Sequence, residues 1–209
     1  MLCRSVAAKG LEKIQKLING AEMAEIRIEK SGLSKKEVEK LFGCHKNLIA
    51  TCRDNGLSQT KRLGLLTAAI NGGAKWVDIE VESPSNYITE LARIAKAKRC
   101  NVIISYHNFN TTPNADELKK ILMECNEKGA DLVKIATMAN NTTDVANLLG
   151  LYKLNIPVLS FGMGELGKST RIDALKMGAP FMFVSCDNEH KTAPGQLTES
   201  EMKRFLNNL

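Results

Sequence analysis

The chain has 209 residues, 44% hydrophobic and 25% charged, an ordinary globular balance that excludes collagen-like, low-complexity and disordered classes. Lysine and arginine number 29 against 23 acidic residues, and the resulting charge of +6 suits either a soluble surface or a polyanion partner. No apolar run reaches the roughly 18 residues of a membrane span, and Arg4 interrupts the place where a secretory leader would be apolar, so the expectation is a cytoplasmic protein without membrane association.

Short β-rich runs begin near Leu2, Ala24, Asn47, Lys75, Cys100, Asp131, Ile156 and Phe181, at intervals of 22 to 31 residues. After the first run, which ends beside Ser5, the spacing of Leu11, Ile14, Leu17 and Ile18 predicts a helix with one apolar face. In the second run Glu25 and Arg27 share one face while Ile26 and Ile28 share the other. Arg53 closes the third run. Ser58 then precedes a helical pattern through Leu63, Leu66 and Ile70, which Gly72 and Gly73 stop. The fourth run alternates Asp78 and Glu80 with Val77, Ile79 and Val81, and the fifth places Ser105 and His107 on a common face. Asn114 can cap a helix carrying Leu118, Ile121, Leu122 and Cys125, which ends at Gly129. Lys134 sits between Val133 and Ile135 in the sixth run, and Gly178 ends a helix ahead of the eighth.

Strand–helix units of this length imply parallel strands with crossover helices. Eight of them fit a (β/α)₈ barrel better than the competing doubly wound sheet. No Pro-rich or Ser-rich linker divides the chain, so a single catalytic domain over 1–209 is expected. Parallel strands buried on both faces should be continuously apolar. Five successive runs instead alternate, so their polar sets are expected to point inward and line a polar cup at the C-terminal strand ends. Single residues of this kind are as often structural ion pairs as catalytic groups. Five strands together favour a site.

Within the cup, burial and neighbouring cations are expected to favour a neutral Lys134 amine, the nucleophile for Schiff-base formation with a ketone. His107 suits general acid–base work, whereas His45 and His190 lie in polar loops. The six cysteines form no CxxC pair, which predicts reduced thiols, no disulfide framework and no metal site. Three Tyr, one Trp and no clustered basic stripe argue against a nucleic-acid partner. Residues 162–169, from Gly162 to Ser169, match GxxxxGK[ST]. That loop follows the seventh run, too late for the sheet a P-loop NTPase builds around it. Its backbone N–H groups, beside Arg171, could instead hold a substrate carboxylate. On these residues alone a class I aldolase-like barrel with a sixth-strand Lys also remains open.

The motifs, taken in order, resemble the type I 3-dehydroquinate dehydratases over almost the whole chain. They are E-x-R (Glu25, Arg27), Arg53, D-x-E (Asp78, Glu80), S-x-H-x-F-x-x-T-P (Ser105 to Pro113), K-I-A from Lys134, M-G-E-L-G followed by Arg171, and A-P-G-Q ending at Gln196. The resemblance implies dehydration of 3-dehydroquinate to 3-dehydroshikimate in the shikimate pathway, with no metal or cofactor and with a homodimer as the family expectation. It gives Lys134 the imine, His107 the proton transfers and Arg171 the substrate carboxylate. Glu25, Arg27 and Arg53 would orient hydroxyls, with Thr192 and Gln196 on a lid over 187–196 and Ser5 a further contact. Two departures stand out. The Glu that many members carry after the strand-three Arg is missing from Asp54-Asn55-Gly56-Leu57, and Asn108 follows the His where Asp is common. Glu80 or Asp78 is the expected replacement partner for His107.

Overall fold

A computed structural model describes residues 1–207. The strands are β1 (Leu2–Val6), β2 (Met23–Arg27), β3 (Leu48–Thr51), β4 (Trp76–Glu80), β5 (Asn101–Asn108), β6 (Leu132–Met138), β7 (Val158–Met163) and β8 (Met182–Val184), each within two residues of its predicted start. Between and after them run α1 (Leu11–Ile18), α2 (Ile28–Ser31), α3 (Lys35–Phe42), α4 (Gln59–Gly72), α5 (Ser85–Ala97), α6 (Ala115–Glu127), α7 (Thr142–Gly150), α8 (Gly164–Lys176) and α9 (Glu199–Asn207). Ser58 and Asn114 cap α4 and α6 as expected, accepting from the N–H groups of Lys61 and Glu117. Ser34 and Glu37 add a reciprocal capping box to α3.

The strands are all parallel and pair in the order β7-β6-β5-β4-β3-β2-β1-β8. The architecture is a single (β/α)₈ barrel, nearly closed. β7 and β8 stand at the two ends of the hydrogen-bonded order. β8 is only three residues long, and aromatic side chains bridge the seam: the Phe161 and Phe183 rings lie 6.3 Å apart, and Phe183 meets Phe181 edge-on at 5.5 Å.

Register explains where the site sits. Side chains two apart on a strand share a face, and along the inner faces of β2, β4 and β5 the chemistry changes from apolar to polar toward the C-terminal end, while β6 sets Lys134 between Leu132 and Ala136. On β2 the sequence is Met23, Glu25, Arg27; on β4, Trp76, Asp78, Glu80; on β5, Ile103, Ser105, His107; on β6, Leu132, Lys134, Ala136. The lower layer joins Cys3, Met23, Ile49, Ile103, Leu132, Leu159 and Phe183 in one buried apolar cluster. The outward residues Ile26, Val77, Ile79, Val133 and Ile135 pack with the helices in the other. A barrel floored by hydrocarbon therefore carries a charged upper layer. The cysteines among the described residues are free, with Cys3, Cys52, Cys100 and Cys125 buried, Cys44 exposed and Cys186 intermediate.

Candidate active site

A cavity of about 280 Å³ opens at the C-terminal end of the barrel. Its lining includes all nine predicted residues: Ser5, Glu25, Arg27, Arg53, His107, Lys134, Arg171, Thr192 and Gln196.

Asp78 is the hub of the charged layer. Its carboxylate is 1% exposed; Oδ1 accepts from Arg53 Nη2 at 2.8 Å and from Ser105 Oγ at 2.6 Å, and Oδ2 accepts from Lys134 Nζ at 3.0 Å. Burial on its own would raise the Asp78 pKa, but Arg53 and Lys134 overcome it and hold the carboxyl well below the usual range. Glu25 follows the same pattern: burial opposes ionisation, Lys134 and Arg27 outweigh it, and Oε1 accepts from Thr51 Oγ1 at 2.9 Å. Lys134 Nζ lies 3.9 Å from Glu25 Oε1 and 4.3 Å from the centre of the Phe183 ring. The expectation of cations around this amine is thereby corrected. The groups nearest Nζ are carboxylates, because the inner residues of β2 and β4 at this height are both acidic.

His107 projects from the end of β5, half-buried by its surface, with its ring stacked 6.3 Å from Phe109 at an interplanar angle of 14°. Loss of hydration pushes its pKa well below the usual histidine value, and Arg53 and Lys134 add to that push against the opposing charge of Asp78. Neither Asp78 nor Glu80 hydrogen-bonds the imidazole, which corrects the expected replacement partner. Asp78 is consumed by Arg53, Ser105 and Lys134, and Glu80 faces Arg53 at 3.9 Å and Arg62 at 3.6 Å. Arg27 is held by Glu29 at 2.7 Å, and Glu29 also accepts from the Arg53 backbone N–H.

Across the mouth the electrostatics invert. Arg171, on α8, is 1% exposed, and its Nε and Nη2 have no hydrogen-bond partner among the described residues. Its guanidinium lies 4.5 Å from the centre of the Phe161 ring, and burial brings its pKa down to about 10. The glycines of the GxxxxGK[ST] match place this helix. A Cβ on Gly167 would lie 2.3 Å from the carbonyl carbon of Gly162, so α8 rests directly on the β7 backbone. Gly164 already begins α8, leaving no phosphate-cradling loop, and Lys168 pairs with Glu165 at 2.6 Å on the exposed helix face. The P-loop reading is overturned by that geometry. Over the same edge, Pro194 C=O accepts from Gly164 N–H, and Gln196 Oε1 accepts from Thr192 N–H at 2.7 Å and from its hydroxyl at 3.1 Å.

The type I 3-dehydroquinase family model matches residues 2–209. The chain belongs to the type I 3-dehydroquinase family. It is 32% identical to a 3-dehydroquinate dehydratase of Dehalococcoides mccartyi over 97% of its own length and 90% of that protein. It is 34% identical to one from Pyrococcus abyssi over 95% and 91%. Among solved structures, the type I 3-dehydroquinate dehydratase of Clostridium difficile, determined with covalently modified comenic acid, superposes with a TM-score of 0.87. That match has 27% identity and covers 99% of this chain and 90% of that one. Membership settles the choice between a dehydratase and an aldolase-like barrel.

This type I 3-dehydroquinase site also contains residues that the sequence pattern does not single out. Alternation turns Asp78 inward but does not mark it as the common partner of Arg53 and Lys134. Ser105 and Thr51 complete the carboxylates' hydrogen bonding, and Arg62 reaches in from α4. The alternation of the fourth run carried a signal for Asp78; nothing in the sequence pattern marked Arg62.

Proposed function

We propose that Lys134 and His107 carry the dehydration of 3-dehydroquinate, the lyase reaction of aromatic biosynthesis that belongs to this family. The observation that carries the assignment is the pairing, in one cavity, of a buried amine with a buried guanidinium whose Nε and Nη2 are unpartnered. The guanidinium is a vacant fork for the substrate carboxylate. The carboxylate docks on Arg171, and the ring spans toward Lys134.

In the reaction the amine, once its proton has left, attacks the ketone carbon, and the ketone oxygen departs as water to give an iminium on Nζ. Asp78, 3.0 Å from that nitrogen, keeps a counter-charge beside each cationic stage. The iminium draws electrons from the adjacent carbon and makes its C–H acidic. His107, neutral because burial and the two nearby cations disfavour its charged form, takes that proton. The resulting enamine expels the ring hydroxyl, to which the His107 imidazolium returns the proton, releasing water. Hydrolysis of the remaining iminium frees the conjugated enone and restores the amine. Glu25, Arg27 and Arg53 orient the substrate hydroxyls, Ser5 contacts the ring, and Thr192 and Gln196 close the mouth.

The test is borohydride reduction in the presence of 3-dehydroquinate. Mass spectrometry should find the reduced adduct on Lys134, and enone absorbance should rise when borohydride is omitted. An adduct on another residue, or none with turnover intact, overturns the assignment. A cytoplasmic homodimer is proposed as well, on the family resemblance; light scattering of the purified chain decides its oligomeric state.

A further inference from the structure

Arg62 lies on α4, outside the substrate cavity, yet it is tied to two of the residues lining it. Its Nη2 is 3.6 Å from Glu80 Oε2 and its Nη1 is 3.7 Å from Asp54 Oδ2. Its Nε donates to the Cys52 carbonyl at 3.2 Å, and the guanidinium lies 5.4 Å from the centre of the Tyr87 ring, so the fork is fixed from both ends. The side chain is only 11% exposed and Glu80 is 29% exposed, which limits solvent screening of that pair, whereas Asp54 lies in solvent. Glu80 in turn faces Arg53 Nε at 3.9 Å, while Asp78 takes Nη2 of the same guanidinium at 2.8 Å. A second cavity of about 350 Å³ lies along this line of charges and has His107 in its wall.

We propose that Arg62 is a positioning residue for the dehydratase reaction, holding Glu80 so that Glu80 in turn holds the Arg53 fork against the substrate. The two departures at 54–57 and Asn108 explain why this chain needs it. With no carboxylate hydrogen-bonded to His107, the imidazole takes its charge environment from fixed groups at longer range: Asp78 and Glu80 on β4, Arg53 and Asp54 after β3, Lys134 on β6 and Arg27 on β2. Arg62 neutralises Glu80 in that set and keeps its carboxylate from swinging toward the imidazole. The inference rests on the imine reading of the same cavity.

The experiment compares Arg62→Met, Arg62→Lys and the double variant Arg62→Met/Glu80→Gln by kcat, KM and the pH dependence of kcat/KM with 3-dehydroquinate. Arg62→Met should lower kcat/KM about tenfold, the low end of the loss seen when a group that orients a metal ligand is removed, and chiefly through KM, since Arg53 faces the substrate. It should also move the acid limb of the profile to higher pH, by about half a pH unit, because a freed carboxylate favours the imidazolium. Adding Glu80→Gln should return the limb to its wild-type position while kcat/KM stays low. Arg62→Lys, which keeps the charge without the planar fork, should lower kcat/KM with the limb unmoved. Unchanged kinetics in Arg62→Met overturn the inference, as does lost activity with an unmoved limb, which assigns Arg62 only to stability. Should Arg62→Met not fold, Arg62→Lys decides alone: wild-type kcat/KM overturns the inference. Borohydride trapping on Lys134 should persist in every folded variant; its loss in the wild type would count against the imine reading rather than against Arg62.

Discussion

The two sides of the barrel mouth solve opposite problems. From β2 to β6 each ionised group meets a partner of the other sign, with Asp78 shared between Arg53 and Lys134, Glu25 near Lys134 and Glu29 on Arg27. From β7 to α8 a guanidinium is buried against Phe161 with Nε and Nη2 unpaired. The first side is complete without substrate, so its charges are pre-aligned and need little reorganisation when an iminium forms. The second is incomplete and so costs stability until an anion arrives. Removing a charge should therefore have opposite consequences on the two sides.

Asp78→Asn gives the largest effect. It leaves Lys134 and Arg53 without their common counter-charge, and breaking a buried pair from one side costs on the order of 3–5 kcal/mol. Urea denaturation should show that loss, and kcat of the remaining folded enzyme should fall with it. A variant as stable as the wild type would mean that the paired side is not held by this hub. Arg171→Met should do the reverse. Replacing an unpaired buried cation with a side chain of similar length should leave the protein as stable or raise stability by about 1 kcal/mol. KM should meanwhile rise roughly 30-fold or more, the equivalent of about 2 kcal/mol for a lost charge pair to the carboxylate. Lower stability with unchanged KM would show that Arg171 is a structural cation after all.

The helix that carries Arg171 offers a third test. Gly167→Ala would set a Cβ 2.3 Å from the Gly162 carbonyl carbon, backbone that cannot rotate away, so α8 must lift from β7. The expected cost is about 1–3 kcal/mol, as for other overpacked contacts, with KM raised because Arg171 moves with the helix. Gly72→Ala is a useful control: its Cβ would approach Glu39 O at 2.3 Å, far from the site, so it should lose stability without a KM effect. If the two variants match in both measurements, the glycine contact does not serve the site.

The paired side was largely legible in the sequence and the unpaired side less so, for a physical reason. Period-two alternation reports which face a residue takes, and on β2, β4, β5 and β6 it delivered Glu25, Asp78, His107 and Lys134 to the interior in the order they occupy. Facing says nothing about partners. Whether Lys134 meets cations or carboxylates depends on the relative height of neighbouring strands, and the register Ser105↔Lys134 and Ile103↔Asp78 is a property of the assembled sheet. The GxxxxGK[ST] match failed for a related reason: its spacing is shared by phosphate loops and by a strand that turns directly into a closely packed helix. Arg62 was invisible because a charged residue near a helix start reads as surface until the neighbouring loop is seen. The unpaired seam between β7 and β8 was hidden too, since eight regular runs suggest full closure.

The smallest expected effect tests His107, whose imidazole has no counter-charge within hydrogen-bonding reach among the described residues. His107 has a folded pKa below the roughly 6.5 of an unfolded chain, so between those values the unfolded state binds more protons than the folded one. Stability therefore rises with pH through that window and declines as pH falls below about 6.5. Asp78 acts with the same sign but lower down: its depressed carboxyl contributes fully above about 3.9 and loses that contribution only as pH falls beneath it. The two windows can thus be separated. His107→Leu should make the unfolding free energy less sensitive to pH between about 7.5 and about 5.5, while the acid unfolding set by Asp78 stays in place. His45 and His190 are common to both proteins and cancel in the difference. Equal sensitivity in wild type and variant would mean that His107 titrates alike in the folded and unfolded chains, and the neutral base that the dehydration requires would then have to be created by substrate binding rather than by the resting site.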